Sequence, residues 1–347
     1  MTPLTHLLLP LLLPLLPSTL AAPGPLPTPL PVILWHGLGD RSDAAGLSDV
    51  SDLLQTVHPG TKVHIVTLAP DGAGDQRASF FGRLTDQLSS VCDNLTSSAD
   101  FSGAVTSVDA LGFSQGGLFL RGLVETCAGI HVRSLVTFGS PHNGIADLPA
   151  CGTWDLLCKA AEGALKGNKW SEWVQSNIVP AQYFREVDEE TGLGSEAYLE
   201  GSGWLADVNN ERDVKSEKYR GRLGSLERFV MYGFEEDTTL LPKETAWFAE
   251  VNGTSGVVTG LRDRLVYLQD WLGLKILDDR KGLVFRIVKK AGHMDLSEGL
   301  LRKAFEEFFG PDRTLVEVKQ EEEVEISPDE VVNQWRGQDL SLVRGDW

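Results

Sequence analysis

The chain has 347 residues, 42% of them hydrophobic and 23% charged, and carries a formal net charge of −18. That length supports one large α/β domain or two ordinary ones, with a sizeable core either way. The acidic balance, with no cluster of Lys and Arg, argues against nucleic acid as a partner and against an anionic membrane surface.

The first feature in chain order is the apolar run Leu7 to Leu16, followed by small residues in Ser18-Thr-Leu-Ala-Ala22. It reads as a secretory signal peptide over residues 1–22, although its leading segment holds only the amino terminus and His6 as basic groups. The run is too short, and too often broken by proline, for a transmembrane helix, so no integral membrane segment is expected after its removal. In a secreted chain the four cysteines, Cys92, Cys127, Cys151 and Cys158, read as two disulfides, with all three connectivities open. Metal-ligand spacing is missing, and no cofactor is expected. Asn94-Leu-Thr96 and Asn252-Gly-Thr254 are N-glycosylation sequons, at Asn94 and Asn252.

A proline-rich leader enters a short apolar strand, Pro31 to Trp35, and His36-Gly-Leu-Gly-Asp40 follows at once. Lys62 to Leu68 reads as a second strand, and Asp75 to Cys92 as a helix with Phe80, Phe81, Leu84 and Leu88 on one face. Val105 to Leu111 is a β-branched, apolar-rich run ending in Gly112-Phe-Ser-Gln-Gly116, and a helical pattern opens at Gly117. Val132 to Ser140 is a further strand. This alternation implies parallel βαβ units in a mostly parallel sheet.

From about Pro141 to Arg222 no clear strand is present, and Trp154, Trp170, Trp173, Tyr183, Phe184, Tyr198 and Trp204 are scattered through it. Strand patterns return with Leu226 to Phe234 and Gly282 to Val288. An aromatic-rich insertion between late strands commonly forms a cap over the site; the competing reading is a helical subdomain packing on itself. From Pro311 to Trp347 there are ten acidic residues against four basic. That composition reads as a solvated, poorly ordered tail. The resulting division is a signal peptide at 1–22, an α/β domain at 23–310 with a helical cap inserted at about 141–225, and the acidic tail at 311–347.

Gly112 to Gly116 is a Gly-x-Ser-x-Gly sequence between a strand and a helix, the context of a nucleophile elbow. Ser114 is then the nucleophile, and it needs a base and an orienting acid, which follow in the order Ser, acid, His. Three of the seven histidines lie downstream: His131, His142 and His293. His293 stands in a Gly-containing loop just after a strand and is preferred. His142 is its rival, and His131 precedes a strand and reads as a surface residue. The acid lies among Glu235, Glu236 and Asp237, with Asp237 modestly favoured as the farthest into the loop. One oxyanion donor is the backbone amide of Gln115, directly after the nucleophile, and the other comes from the loop after the first strand, with Leu38 N–H preferred. His36 reads as a ring that holds that loop.

These residues resemble the palmitoyl-protein thioesterase family over about residues 31 to 310. The anchors are Trp35-His-Gly-Leu-Gly-Asp40, Gly112-Phe-Ser-Gln-Gly-Gly117, Phe229-Val-Met, Glu244-Thr-Ala-Trp-Phe248, Asp270-Trp-Leu-Gly-Leu274, and Gly292-His293 with Leu296-Ser-Glu298. The resemblance implies an α/β-hydrolase fold, Ser114 as nucleophile, Asp237 as acid and His293 as base. It also implies pairing of Cys92 with Cys127 and of Cys151 with Cys158, and a helical insertion lining an acyl groove. The implied substrates are long-chain acyl thioesters of S-palmitoylated proteins or peptides, met in the secretory pathway, in a lysosome or vacuole, or outside the cell. A lipase or carboxylesterase cutting oxygen esters is the alternative, because triad chemistry does not distinguish the leaving atom. The chain departs from the family at Arg41-Ser42, where an adjacent cysteine pair is replaced, and the tail from Pro311 lies outside the resemblance.

Overall fold

The computed structural model describes residues 28–98, 101, 107–148, 151–152 and 156–311. The expected signal peptide, and the tail after Pro311, lie outside the described residues. The strands are β1 (Val32–Trp35), β2 (Val63–Ile65), β3 (Val108–Phe113), β4 (Val132–Phe138), β5 (Arg228–Phe234), β6 (Glu250–Val251), β7 (Val258–Thr259) and β8 (Leu283–Val288). Six of them form one sheet in the order β2-β1-β3-β4-β5-β8, with every neighbouring pair parallel. β6 and β7 form a separate antiparallel ribbon.

Burial on both faces explains why the central strands read as continuous apolar runs rather than alternating ones. Val32, Leu34, Leu111, Phe113, Val136, Phe138, Val230 and Tyr232 face one apolar cluster. Ile33, Trp35, Ala110, Leu135, Phe229, Met231 and Phe285 face the other. The first face is covered by α1 (Ala45–Val57) and the helix Glu298–Phe308, through Leu47, Val50, Leu54, Leu301, Ala304 and Phe305. The second is covered by α2 (Gly72–Phe80), α3 (Leu84–Ser97) and α4 (Gln115–Thr126), through Phe80, Leu84, Leu88, Leu118 and Phe119. This three-layer arrangement is the α/β-hydrolase fold.

Two elements differ from expectation. The single helix read over Asp75 to Cys92 is two helices, because Gly82 takes φ +131° between α2 and α3, a backbone conformation that ends one helix before the next begins. Helix α1 was not anticipated, although Leu47, Val50, Leu54 and Val57 are spaced for one helical face.

Between β4 and β5 the described residues hold short helices and no strand of the main sheet. This segment packs on α4, with Phe119 edge-on to Tyr183 at 6.1 Å and to Trp204 at 5.8 Å. A buried polar network fixes it from the other side. Arg185 pairs with Glu211 at 2.7 Å and with Glu250 of β6, and the Tyr198 hydroxyl donates to Glu211 at 2.6 Å. Burying Arg185 between two carboxylates satisfies charges that would be costly alone. Cys92–Cys127 fastens α3 to the end of α4, and Cys151–Cys158 closes a loop into the helix Leu156–Asn168. No helix of the described residues is long and apolar enough to cross a membrane.

Candidate active site

β3 ends at Phe113 and α4 begins at Gln115, so the turn between them is one residue, Ser114, held at φ 50° and ψ −125°. A non-glycine residue in that region costs roughly 1–3 kcal/mol and persists only where its surroundings enforce it. Here they do. Ser114 N–H donates to Phe138 O of β4 at 2.7 Å, and Gly117 N–H donates to Ser114 O at 3.1 Å. Gly116 admits the close approach of β1: a Cβ there would lie 2.3 Å from His36 O and 2.4 Å from Trp35 O, both backbone atoms. The hydroxyl is thus presented at the carboxyl end of the sheet, over the N-terminus of a twelve-residue helix whose dipole favours negative charge.

The loop after β8 brings His293 to this hydroxyl, with Nε2 to Ser114 Oγ at 3.0 Å. Nδ1 of the same ring lies 2.6 Å from Asp237 Oδ2. Asp237 follows β5, and its carboxylate is buried, at 1% side-chain exposure. Its other oxygen, Oδ1, accepts from Thr239 N and Leu240 N, each at 2.9 Å. Glu236 is exposed, and Glu235 turns away to accept from Lys290 N at 2.8 Å, so of the three carboxylates only that of Asp237 lies against the imidazole.

The rival histidine is not at the site. His142 is fully buried, with Nε2 3.0 Å from Thr137 Oγ1 and its ring stacked on Phe248, and burial pushes its imidazole well below the usual range. His131 is exposed and lies 3.1 Å from Ser107 Oγ.

The loop after β1 passes directly over the serine. A Cβ on Gly37 would lie 3.2 Å from Ser114 Cβ, so any larger residue would crowd the serine. Among the described residues neither Leu38 N–H nor Gln115 N–H donates a hydrogen bond. The loop is anchored by contacts that sequence reasoning missed, apart from the holding role of His36. His36 Nε2 lies 3.1 Å from Asp75 Oδ2 and its Nδ1 3.0 Å from Gly37 O. Asp75, buried at the first turn of α2, also accepts from Ser42 N and Leu68 N, each at 2.7 Å. Burial works against its charge, but these hydrogen bonds dominate and hold the carboxyl down at about 2.

Gln115 is locked in turn. Its Nε2 donates to Ser79 O at 3.1 Å and its Oε1 accepts from Tyr183 at 2.8 Å. Tyr183→Phe leaves that buried oxygen unpaired and is expected to lower stability by about 1–2 kcal/mol, measured as a shift in the denaturant midpoint at constant slope.

The cavity over Ser114 has a volume of about 1280 Å³. Phe80, Ile145, Leu148, Tyr183 and Leu240 make one of its walls apolar.

Residues 31–293 match the family model for palmitoyl protein thioesterase. The chain belongs to the palmitoyl-protein thioesterase family. A relative of this family from Schizosaccharomyces pombe, the palmitoyl-protein thioesterase-dolichyl pyrophosphate phosphatase fusion 1, is 36% identical over 250 residues. That match covers 71% of this chain and 38% of the fusion's length. Palmitoyl-protein thioesterase 1 of Caenorhabditis elegans is 27% identical over 272 residues, covering 78% of this chain and 88% of its own. Lysosomal thioesterase PPT2 of Homo sapiens is 28% identical over 258 residues, covering 73% and 78%.

Proposed function

We propose that this chain hydrolyses long-chain acyl thioesters, palmitoyl foremost, on S-acylated cysteines of proteins or peptides. The observation that carries this reading is the continuous chain Ser114 Oγ, His293 Nε2, His293 Nδ1, Asp237 Oδ2 in a member of the palmitoyl-protein thioesterase family. Ser114 attacks the thioester carbonyl while His293 takes its proton. Asp237 keeps Nδ1 protonated and stabilises the imidazolium that forms. Leu38 N–H and Gln115 N–H receive the oxyanion, and the positive end of α4 adds to them. Collapse breaks the C–S bond, His293 returns the proton to the departing thiolate, and the acyl group remains on Ser114. Water activated by His293 then releases the fatty acid.

The apolar wall formed by Phe80, Ile145, Leu148, Tyr183 and Leu240 is the surface for the acyl chain, and the insertion at about 141–225 acts as the cap that supplies much of it. Two disulfides fit an oxidising compartment, and within the secretory pathway we assign the lysosome or vacuole, by likeness to the relative named lysosomal. Asn94 is exposed on α3 and suits a glycan. At Asn252 a glycan would take one of the two hydrogens of the Nδ2 that donates to Glu189 O at 3.1 Å.

The test is a matched pair: palmitoyl thioester and palmitoyl oxygen ester of the same small alcohol or thiol. The thioester is expected to give the higher kcat/KM. A higher value on the oxygen ester would move the chain to the lipase or carboxylesterase reading.

A further inference from the structure

Leu38 N–H stands between two glycines, whose backbones are the freest of any residue, so the loop after β1 does not by itself aim that donor. The aim comes from outside the loop. In a trans peptide the N–H points opposite to the carbonyl that shares its plane, so whatever fixes Gly37 O also directs Leu38 N–H. Gly37 O lies 3.0 Å from His36 Nδ1 and accepts from Asp40 N at 3.3 Å. The following plane is held by its own N–H, because Gly39 N donates to Ser79 Oγ at 2.9 Å. Gly39 O in turn accepts from Gln76 Nε2 at 2.6 Å. With one plane pinned on each side of its Cα, Leu38 keeps little freedom in φ or ψ.

Ser79 is where these contacts meet. It is buried on α2 at 1% exposure, and its hydroxyl donates to Gln76 O at 2.6 Å, which leaves a lone pair for Gly39 N. Its backbone oxygen accepts from Gln115 Nε2 at 3.1 Å, while Gln115 Oε1 accepts from Tyr183. One residue therefore touches both segments that carry the oxyanion donors, the loop after β1 through its side chain and the start of α4 through its main chain.

Given the thioesterase reading, which this step rests on, we infer that Ser79 and Gln76 are positioning residues of the oxyanion hole, setting Leu38 N–H against Gln115 N–H from the face of α2. Neither residue lines the cavity over Ser114. Their loss therefore acts on the transition state and spares substrate binding.

Ser79→Ala removes the acceptor for Gly39 N and keeps the backbone oxygen that holds Gln115. It is expected to lower kcat on a palmitoyl thioester by about thirtyfold with KM changed by less than about twofold, a smaller loss than for a deleted donor because the N–H remains and only its aim loosens. Gln76→Met, which removes the bond to Gly39 O from a half-buried position, should lower kcat by about fivefold. The readout that general loosening would not single out is a trifluoromethyl ketone analogue of the thioester. Ser114 Oγ adds to its carbonyl, the serine proton passes to His293, and the carbonyl oxygen becomes the oxyanion. Its inhibition constant should rise in each variant by the factor by which kcat/KM falls. The matching thioether, which has no carbonyl, should bind each variant as tightly as wild type. Circular dichroism establishes which variants are folded, and Gln76→Met decides alone if Ser79→Ala is not. A kcat within about twofold of wild type in every folded variant, or ketone and thioether weakened by the same factor, overturns the inference. Absence of palmitoyl-thioester turnover by wild type instead fails the thioesterase reading itself.

Discussion

Ser114→Ala is expected to lower kcat on a palmitoyl thioester by about a millionfold, the scale seen when a triad nucleophile is removed. Folding should be retained, because the substitution keeps the Cβ and deletes only the hydroxyl that meets His293. Asp237→Asn should cost about ten-thousandfold, and the geometry says why. Oδ1 of Asp237 accepts from Thr239 N and Leu240 N. An asparagine must therefore keep its carbonyl oxygen on that side and turn its NH₂ toward His293. Nδ1 then has to accept, the ring proton moves to Nε2, and the imidazole no longer has a lone pair for the serine. Because the three residues act as a unit, the double variant should be about as slow as Ser114→Ala alone. Single-turnover assays with an acyl-peptide, together with fluorophosphonate labelling of wild type, measure this. Turnover by Ser114→Ala within tenfold of wild type would sink the assignment.

Much of this architecture is legible in the sequence because parallel strands buried on both faces write themselves as apolar runs, and Gly-x-Ser-x-Gly lies where such a run meets a helix. The choice among Glu235, Glu236 and Asp237 is not legible from periodicity. Three consecutive acids look alike until the fold buries one against an imidazole and donates two backbone amides to it. Helix α1 was hidden because its apolar positions are interleaved with Ser, Asp and Gly, which read locally as loop. Asp75 was invisible for a different reason. Its partners, His36, Ser42 and Leu68, come from two other segments, and only the folded sheet brings the loop after β1 alongside the first turn of α2.

That anchor yields the second large effect. Asp75→Asn is expected to reduce kcat by about a hundred- to a thousandfold, the range for a lost oxyanion donor, with a smaller change in KM. Asp75 touches no reacting atom; it positions the loop that carries Leu38. Its two oxygens hold three partners, Ser42 N and His36 on Oδ2 and Leu68 N on Oδ1, so an asparagine must turn its NH₂ toward one of the two backbone amides and also forfeits the charge facing His36. Both ring nitrogens of His36 face acceptors, Asp75 Oδ2 and Gly37 O, which favours the doubly protonated imidazolium. Burial opposes that charge, but the hydrogen bond to Asp75 and the one to Gly37 outweigh it, and the imidazole is raised above its usual 6.5. A raised histidine stabilises the fold fully below its unfolded pKa, and the contribution fades as pH climbs through the raised value. Asp75, held at about 2, contributes above its ordinary 3.8 and fades as pH falls toward 2. The pair is therefore strongest between about pH 4 and 6.5, an acidic window. Melting temperature measured against pH should show wild type losing stability above that window relative to Asp75→Asn, in which the imidazolium has lost its carboxylate. A constant gap between the two curves from pH 5 to 9, or an unchanged kcat, would mean that the ion pair neither titrates nor positions the oxyanion loop.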